Sequence, residues 1–593
     1  MARSSSRGTA GSTDQPGVEA EQVVSVDQGA DVFVESMNAN GVDYLFINSG
    51  TDTYPIQESM AKFMAQGRRV PQTILCLDEA VAMAAAHGHF MISGRPQVLL
   101  VHVDAGTLQV GGGLHNAQRG RVGMIFCAGR APYTADGEVP GSKNLSIHWI
   151  QEQLDQAGAV RGFTKWDYEI RRQENIQQVM QRAFQVATSE PSGPVYVTLP
   201  REVLLAPMET AAMPAVTRHA ALTTPQADPE CLAEAAAVLA SAERPLIIIG
   251  QAGRHPQIVP HLVELAEMLG APVSAEPVRL SFPSTHPLSA GRAADTYLKE
   301  ADAILLVDCD IPYIPVNAKP RPDARIISID QDPVKNSIPM WVFPADYLIQ
   351  ADSSKAIPAL VFEVRSRMTA DQSRAAEARR ASIGEAHVKA RGEREQIALG
   401  KAKESPIAPE WLAYCIGKVL DEDTIVLNET VTNAGNVLAH LPRSKPGTLY
   451  SSGGSSLGWA LGAALGARLA APDRTVAAIV ADGAFTYGCP TSVYWAADKY
   501  NIPFLTVIFN NQRHTAPKNA LLAGYPDGYS KQTDTYLGTE IFPSPEYALI
   551  AQACRAYGET VEDPSEVEPA LRRGLERVKA GQAAVIDVRL ARS

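Results

Sequence analysis

At 593 residues, 45% of them apolar and 20% charged, the chain has the composition of an ordinary α/β protein and is too long for one core, so three domains are expected. A net charge of −12 with no basic stripe excludes a nucleic-acid binder, and no apolar run nears the roughly 20 residues that span a bilayer. The seven cysteines are scattered without a Cys-x-x-Cys. Cys76, Cys127 and Cys309 sit in apolar stretches and read as small core residues of a reducing, cytoplasmic compartment.

Residues 1–25 are rich in Ser, Gly, Thr and Ala and lack an apolar core, which predicts a disordered tail and not a signal peptide. A first domain is expected over 26–205. Ala30, Phe33, Val34 and Met37 form a helical stripe that Gly41 can end. Buried strands are predicted at 44–47, 74–77, 98–103, 124–128 and 195–199, with helices at 80–91 and 176–187 between them. That alternation predicts a doubly wound parallel sheet. The Pro, Ala and Thr of 206–229 predict a linker.

A central domain (225–365) follows, with strands at 246–249, 303–307 and 325–329. Its turn Gly250-Gln251-Ala252-Gly253 has the form of a nucleotide-binding bend, which alone is weak evidence. Residues 366–405 are charged and Ala-rich, and read as a solvated helical connector. The third domain (406–593) has strands at 424–427, 475–480, 504–509 and 584–588, in an element order like that of the first.

The chemistry concentrates at strand ends. Ala481-Asp482-Gly483-Ala484 follows one strand of the third domain, and Asn510-Asn511 follows the next, with Asn511 29 positions after Asp482. An acid and an amide at the C-terminal edge of a parallel sheet make a hard oxygen site suited to Mg²⁺ with diphosphate oxygens. Gly483 permits close backbone approach, and the following helix can turn its N–H groups to an anion. Upstream, Ser452-Gly453-Gly454-Ser455-Ser456-Leu457-Gly458 is a small-residue loop carrying one bulky side chain. In the first domain, Asp78-Glu79-Ala80 opens a helix, where an acid is favoured by the helix dipole.

These motifs resemble those of thiamine-diphosphate enzymes of the acetolactate synthase, benzoylformate decarboxylase and 2-hydroxyacyl-CoA lyase group, from about residue 26 to 588. Two departures are Ala481 in place of the first glycine and a slightly long spacer to Asn511. The resemblance implies a pyruvate-decarboxylase-like fold of three α/β domains and a thiamine diphosphate held with Mg²⁺. It gives Asp482 and Asn511 to the metal, together with the backbone carbonyl of Arg513, and places Gly454, Ser455, Gly483 and Ala484 against the cofactor. It makes Leu457 the wedge between the cofactor rings and Glu79 the acid on the pyrimidine, which promotes proton removal from thiazolium C2. Thr430 and Thr432, in a loop like that of the benzoylformate decarboxylases, become hydroxyl donors to the diphosphate.

The same comparison assigns His102 and Thr51 to the substrate side, with Gln109 a weaker candidate. Asp104 can pair with His102 only if the backbone bends. His115 reads as packing, and the segment 513–528, with His514 and Lys518, as a loop-like lid. The implied assembly is a homodimer or homotetramer, with the Glu79 and Asp482 halves on different subunits. The implied reaction is C–C cleavage or formation next to the carbonyl of a 2-oxo acid. An acyl-CoA substrate, a non-catalytic binding protein, and FAD or an ADP/CoA moiety in the central domain stay open.

Overall fold

A computed structural model describes residues 22–213, 222–291 and 294–592. Most of the expected tail and the middle of the expected linker lie outside these residues. What is described of them departs from expectation. Gln22–Ser25 is a strand, paired antiparallel with Thr210–Met213 from the expected linker, and Pro229 already opens the helix Pro229–Ser241. The first domain is thereby closed by joining its two ends.

Each large sheet is parallel. The first has spatial order Gln72–Leu75, Tyr44–Ile47, Val98–Val101, Met124–Arg130, Pro194–Pro200, Trp166–Glu169. In the third domain the order is Leu449–Tyr450, Ile425–Glu429, Val476–Ala481, Leu505–Asn510, Ala584–Arg589, Tyr557–Val561. Numbered along the chain, both read 2-1-3-4-6-5, which bears out the expected likeness of the outer domains. The central sheet, Val273–Ala275, Pro245–Ile249, Ala303–Val307, Arg325–Asp330, Tyr347–Gln350, reads 2-1-3-4-5. In this winding the crevice for ligands opens beyond the carboxyl ends of strands 1 and 3, where the crossovers diverge.

The strands that sequence reading omits are all short or at edges. Trp166–Glu169 and Tyr347–Gln350 have one face in solvent, and Leu449–Tyr450 has two residues, so none presents a continuous apolar run. The connector is the helix Ala370–Gly400, opened by a capping box between Thr369 and Gln372, with only Ala376 and Ala398 buried.

The outer domains share one core. Helices Glu79–Ser93 and Trp459–Ala470, which follow equivalent strands, pack through Val81, Ala84, Ala85 and Gly88 against Gly462, Ala463 and Gly466. A Cβ on Gly466 would stand 1.8 Å from the Ala85 carbonyl oxygen, and one on Gly88 2.1 Å from that of Ala463. Glycine is required there because backbone meets backbone. Among the described residues no helix is long and apolar enough to cross a membrane.

Candidate active site

Three neighbouring strands of the first sheet deliver their ends to one edge. Gln72–Leu75 leads to Asp78, whose carboxylate accepts from the Ala80 N–H at 2.8 Å and starts the helix. Glu79 is therefore fixed in the first turn. Its carboxylate lies 3.1 Å from where a Cβ of Gly106 would be, so that glycine leaves it room. Among the described residues Glu79 has no hydrogen-bond partner.

Beyond Tyr44–Ile47, the strand Val98–Val101 ends two residues sooner than expected. Val103, in the left-handed region with φ 24°, turns the chain into the helix Val103–Gln109, and His102 stands at its N-terminus. The partner of His102 is Asp52, not Asp104. His102 Nδ1 meets Asp52 Oδ1 in a short ion pair, and Asp52 Oδ2 accepts from the Val103 N–H at 3.4 Å. Asp104 instead accepts from Gln153 Nε2 at 2.8 Å. Gly50 and Gly129 make space for the pair, since a Cβ would fall 2.1 Å from His102 Nδ1 and 1.6 Å from Asp52 Oδ2. The hydrogen bond to Asp52 raises the His102 pKa above its ordinary value, against the opposing effect of burial. Thr51 is exposed beside Asp52, and Gln109 is exposed at the end of the short helix.

The third domain repeats the arrangement at its own edge. Glu429, which sequence reading passed over within Asn428-Glu429-Thr430, accepts the N–H groups of Trp459 at 3.1 Å and Ala460 at 2.9 Å. It fastens strand 1 to the helix after the small-residue loop. Burial pushes its carboxyl up to about 7, although these backbone donors pull the other way. Thr430 is fully buried and donates to Asn428 Oδ1 at 2.8 Å, whereas Thr432 is exposed. The loop itself rests on the first domain. Asn116 donates to the Ser456 carbonyl at 2.9 Å and accepts from the Ser456 N–H at 3.0 Å, and a Cβ on Gly454 would strike Asn116. His115 is more than packing, because its Nε2 lies 3.2 Å from Ser455 Oγ. Leu457 is half-buried against the shared core.

Asp482 begins the short helix Asp482–Tyr487 and is 1% exposed. Its carboxylate accepts from the Gly483 N–H at 2.7 Å and the Gln512 N–H at 2.6 Å, so it is tied to the turn that carries Asn511. Burial raises its pKa. Asn511 donates to Thr515 Oγ1 at 2.7 Å, which orients the amide. Gly483 faces His514 at a distance no Cβ could share, and Ala484 is buried behind it. The Arg513 guanidinium is held by Glu540 at 2.5 Å and lies over Tyr536. Residues 513–528 are not the expected loop: Thr515–Gly524 is helical. Among the described residues no cluster of three His, Cys, Asp or Glu side chains could hold a metal. A cation at Asp482 would need ligands from a bound molecule, as Mg²⁺ with a diphosphate does.

In the central domain the bend is closely packed. A Cβ on Gly250 would meet the Asp308 carbonyl at 2.3 Å, so the turn packs on its own chain. The crevice carries ion pairs, Arg254 with Asp308 at 2.8 Å and Arg121 and Lys335 with Asp310 and Asp330 at 2.5–3.1 Å, beside a cavity of about 270 Å³ that Arg119, Arg121, Asp310 and Lys335 line.

Two edges of like topology, each with a glycine-relieved acid at strand ends, are matched by known sequences. Residues 27–159 match the N-terminal TPP binding domain of thiamine pyrophosphate enzymes, 232–360 the central domain and 431–588 the C-terminal TPP binding domain. The chain belongs to the thiamine pyrophosphate enzyme family. Acetolactate synthase isozyme 3 large subunit of Escherichia coli (strain K12) is 24% identical over 585 residues, covering 94% of each chain. Benzoylformate decarboxylase of Pseudomonas aeruginosa is 24% identical over 495 residues, covering 81% of this chain and 85% of that protein. The structure of a thiamine diphosphate-dependent 4-hydroxybenzoylformate decarboxylase of Rhodococcus jostii RHA1 superposes with a TM-score of 0.74 at 22% identity, covering 95% of this chain and 100% of that one. The fold is the pyruvate-decarboxylase-like arrangement of this family.

Proposed function

We propose that the chain is a thiamine-diphosphate- and Mg²⁺-dependent enzyme that decarboxylates a 2-oxo acid and releases an aldehyde or joins the remaining carbon to a second carbonyl. The observation that carries this reading is the His102–Asp52 ion pair on the same sheet edge as Glu79. Asp482 and Asn511 would hold the metal with the Arg513 carbonyl, Thr432 would face the diphosphate, and residues 454–457 would line the cofactor rings. Thr430, whose hydroxyl hydrogen is committed to Asn428, would contribute only as an acceptor or as wall.

When bound, the cofactor supplies a carbon nucleophile and an electron sink next to the substrate carbonyl. Glu79 would hold a proton at the pyrimidine ring nitrogen. His102 keeps its Nδ1 proton on Asp52, so Nε2 is the end that exchanges protons with the substrate oxygen or carbon. Thr51 and Gln109 would line the substrate side. A second copy of the chain is the proposed partner. The unpartnered Glu79 and the exposed Leu77 (53%) and Leu108 (64%) around it support a site completed at a subunit interface, in a dimer or tetramer.

The test is a panel of aliphatic and aromatic 2-oxo acids on protein loaded with thiamine diphosphate and Mg²⁺, reading CO₂ and aldehyde. Turnover of at least one is expected. Asp482→Ala should lose Mg²⁺-dependent cofactor binding by calorimetry while keeping its circular dichroism. Turnover of acyl-CoA thioesters alone, or cofactor affinity unchanged in Asp482→Ala, would overturn the reading.

A further inference from the structure

The connector helix Ala370–Gly400 is polar nearly all round, and most such charges are solvated or paired along the helix, as in the contact of Lys389 with Glu393. One face differs. His387, Arg391 and Arg394 recur at intervals of four and three and so share a stripe. That stripe forms one wall of a cavity of about 420 Å³. The second wall is apolar, from Leu438, Ala439 and Pro442 on and after the helix Ala434–His440, and the third is central-domain chain at Ser284 and Ser289. No carboxylate lines this cavity among the described residues, and neither arginine there has an acidic partner within ion-pair distance.

His387 makes the imbalance sharper. Its Nδ1–H donates to the Ser289 carbonyl at 2.9 Å, which leaves Nε2 as a buried atom with no partner. Burial, then repulsion from Arg391 and Arg394, holds its pKa below the ordinary value. The two acids that flank Arg394 lie outside the lining: Glu395 receives the Tyr414 hydroxyl at 3.3 Å, and Glu393 meets Lys389. Two arginines and a histidine, the arginines exposed to solvent, line one cavity that no acid lines, which makes it electropositive. Small-molecule pockets run from about 300 Å³ upward, so this one exceeds the needs of a lone inorganic ion, and its apolar wall suits an organic group.

We propose that this cavity between the connector helix, the central domain and the helix Ala434–His440 is a binding site for a small organic phosphate. The phosphate would sit between Arg391, Arg394 and His387, and the organic part would lie against Leu438 and Ala439. The site is separate from the cofactor edge but joined to it, because the helix Ala434–His440 directly follows the turn Val431–Asn433 that carries Thr432. Occupancy therefore bears on the loop read as the diphosphate side of the active site. The binding itself does not depend on that functional reading.

The experiment uses the full chain saturated with thiamine diphosphate and Mg²⁺, so that added phosphates cannot compete at the cofactor edge. AMP and inorganic phosphate are titrated separately by calorimetry. AMP is expected to bind in the millimolar range or tighter and more tightly than inorganic phosphate. The Arg391→Ala/Arg394→Ala double variant should weaken AMP binding by about 10- to 100-fold, the loss of one or two charge-assisted contacts. Lys389→Ala, on the same helix but outside the lining, should bind as wild type. AMP binding that is absent, or equal in wild type and double variant, overturns the proposal. So does a change of oligomeric state in the double variant without any phosphate present, which would make the stripe a contact for an acidic protein surface. Unfolding of the double variant is read by circular dichroism, and Arg391→Gln/Arg394→Gln then takes its place with the same expected loss.

Discussion

Asp52 decides what His102 can do. A histidine on an apolar strand end has two ordinary fates, a satisfied core group or a proton carrier, and its partner selects between them. Here a nearly buried carboxylate grips Nδ1 and raises the pKa, so the imidazolium persists to higher pH than that of a free histidine. The sign follows from linkage. A histidine whose folded pKa is raised adds stability that is fully present below its unfolded pKa and is lost as pH rises through the folded value. Asp52→Asn should remove that increment, and thermal unfolding of the variant should show less stabilisation on going from neutral pH down to pH 6 than wild type. The alkaline limb of the pH–rate profile should also move to lower pH, with activity above pH 7 falling roughly 10- to 100-fold, within the range of general acid–base effects. A profile that keeps its wild-type limb would take His102 out of proton transfer. The pairing was not legible in the sequence. Asp52 lies 50 positions before His102, and only the adjacency of two parallel strands brings them together. The placement of Asp482 and Asn511 at the ends of neighbouring strands was legible because each strand is an apolar run.

At the scale of elements, what sequence shows is the buried strand and the helix after it. The fully buried runs Val98–Val101, Val476–Ala481 and Leu505–Asn510 were found to within two residues, while edge strands with one wet face were not. The helix pair that joins the outer domains was visible only as two small-residue stretches, since nothing local says that they cross each other. Their crossing is a strong constraint. Gly466→Val should destabilise the fold by about 1–3 kcal/mol or more through overpacking against the Ala85 carbonyl. It should also weaken cofactor binding by shifting residues 452–458 at the head of the same helix. Gly392→Ala is the control, because a Cβ there meets nothing within 4 Å in the connector helix. It should raise stability by about 0.5–1 kcal/mol. Chemical denaturation of the two variants beside wild type checks both signs.

Across the whole molecule, the central domain is attached to the third by apolar contact at Val278 and Leu280 and by backbone hydrogen bonds, and to the first largely by charge and polar contacts. Its two main clusters are its own, whereas the outer domains share one. The grip on the first domain falls on residues 119–121. Gln251 Nε2 donates to the Arg119 carbonyl at 2.8 Å, Arg119 reaches the Ser337 carbonyl at 3.1 Å, and Arg121 enters the crevice to meet Asp310 and Asp330. The acids Asp308, Asp310 and Asp330 stand where a doubly wound domain would place a nucleotide, and cations from two domains neutralise them. Here the crevice also joins domains, because Arg121 reaches it from the first domain. Arg121→Met would leave Asp310 and Asp330 with Lys335 alone, and breaking a buried ionic cluster by removing one partner costs about 3–5 kcal/mol. Because the loss falls at a domain boundary, it should appear in scanning calorimetry as an earlier, separate transition of the central domain ahead of the outer pair. A single transition at the wild-type temperature would mean that apolar packing, and not the Arg121 cluster, couples the domains.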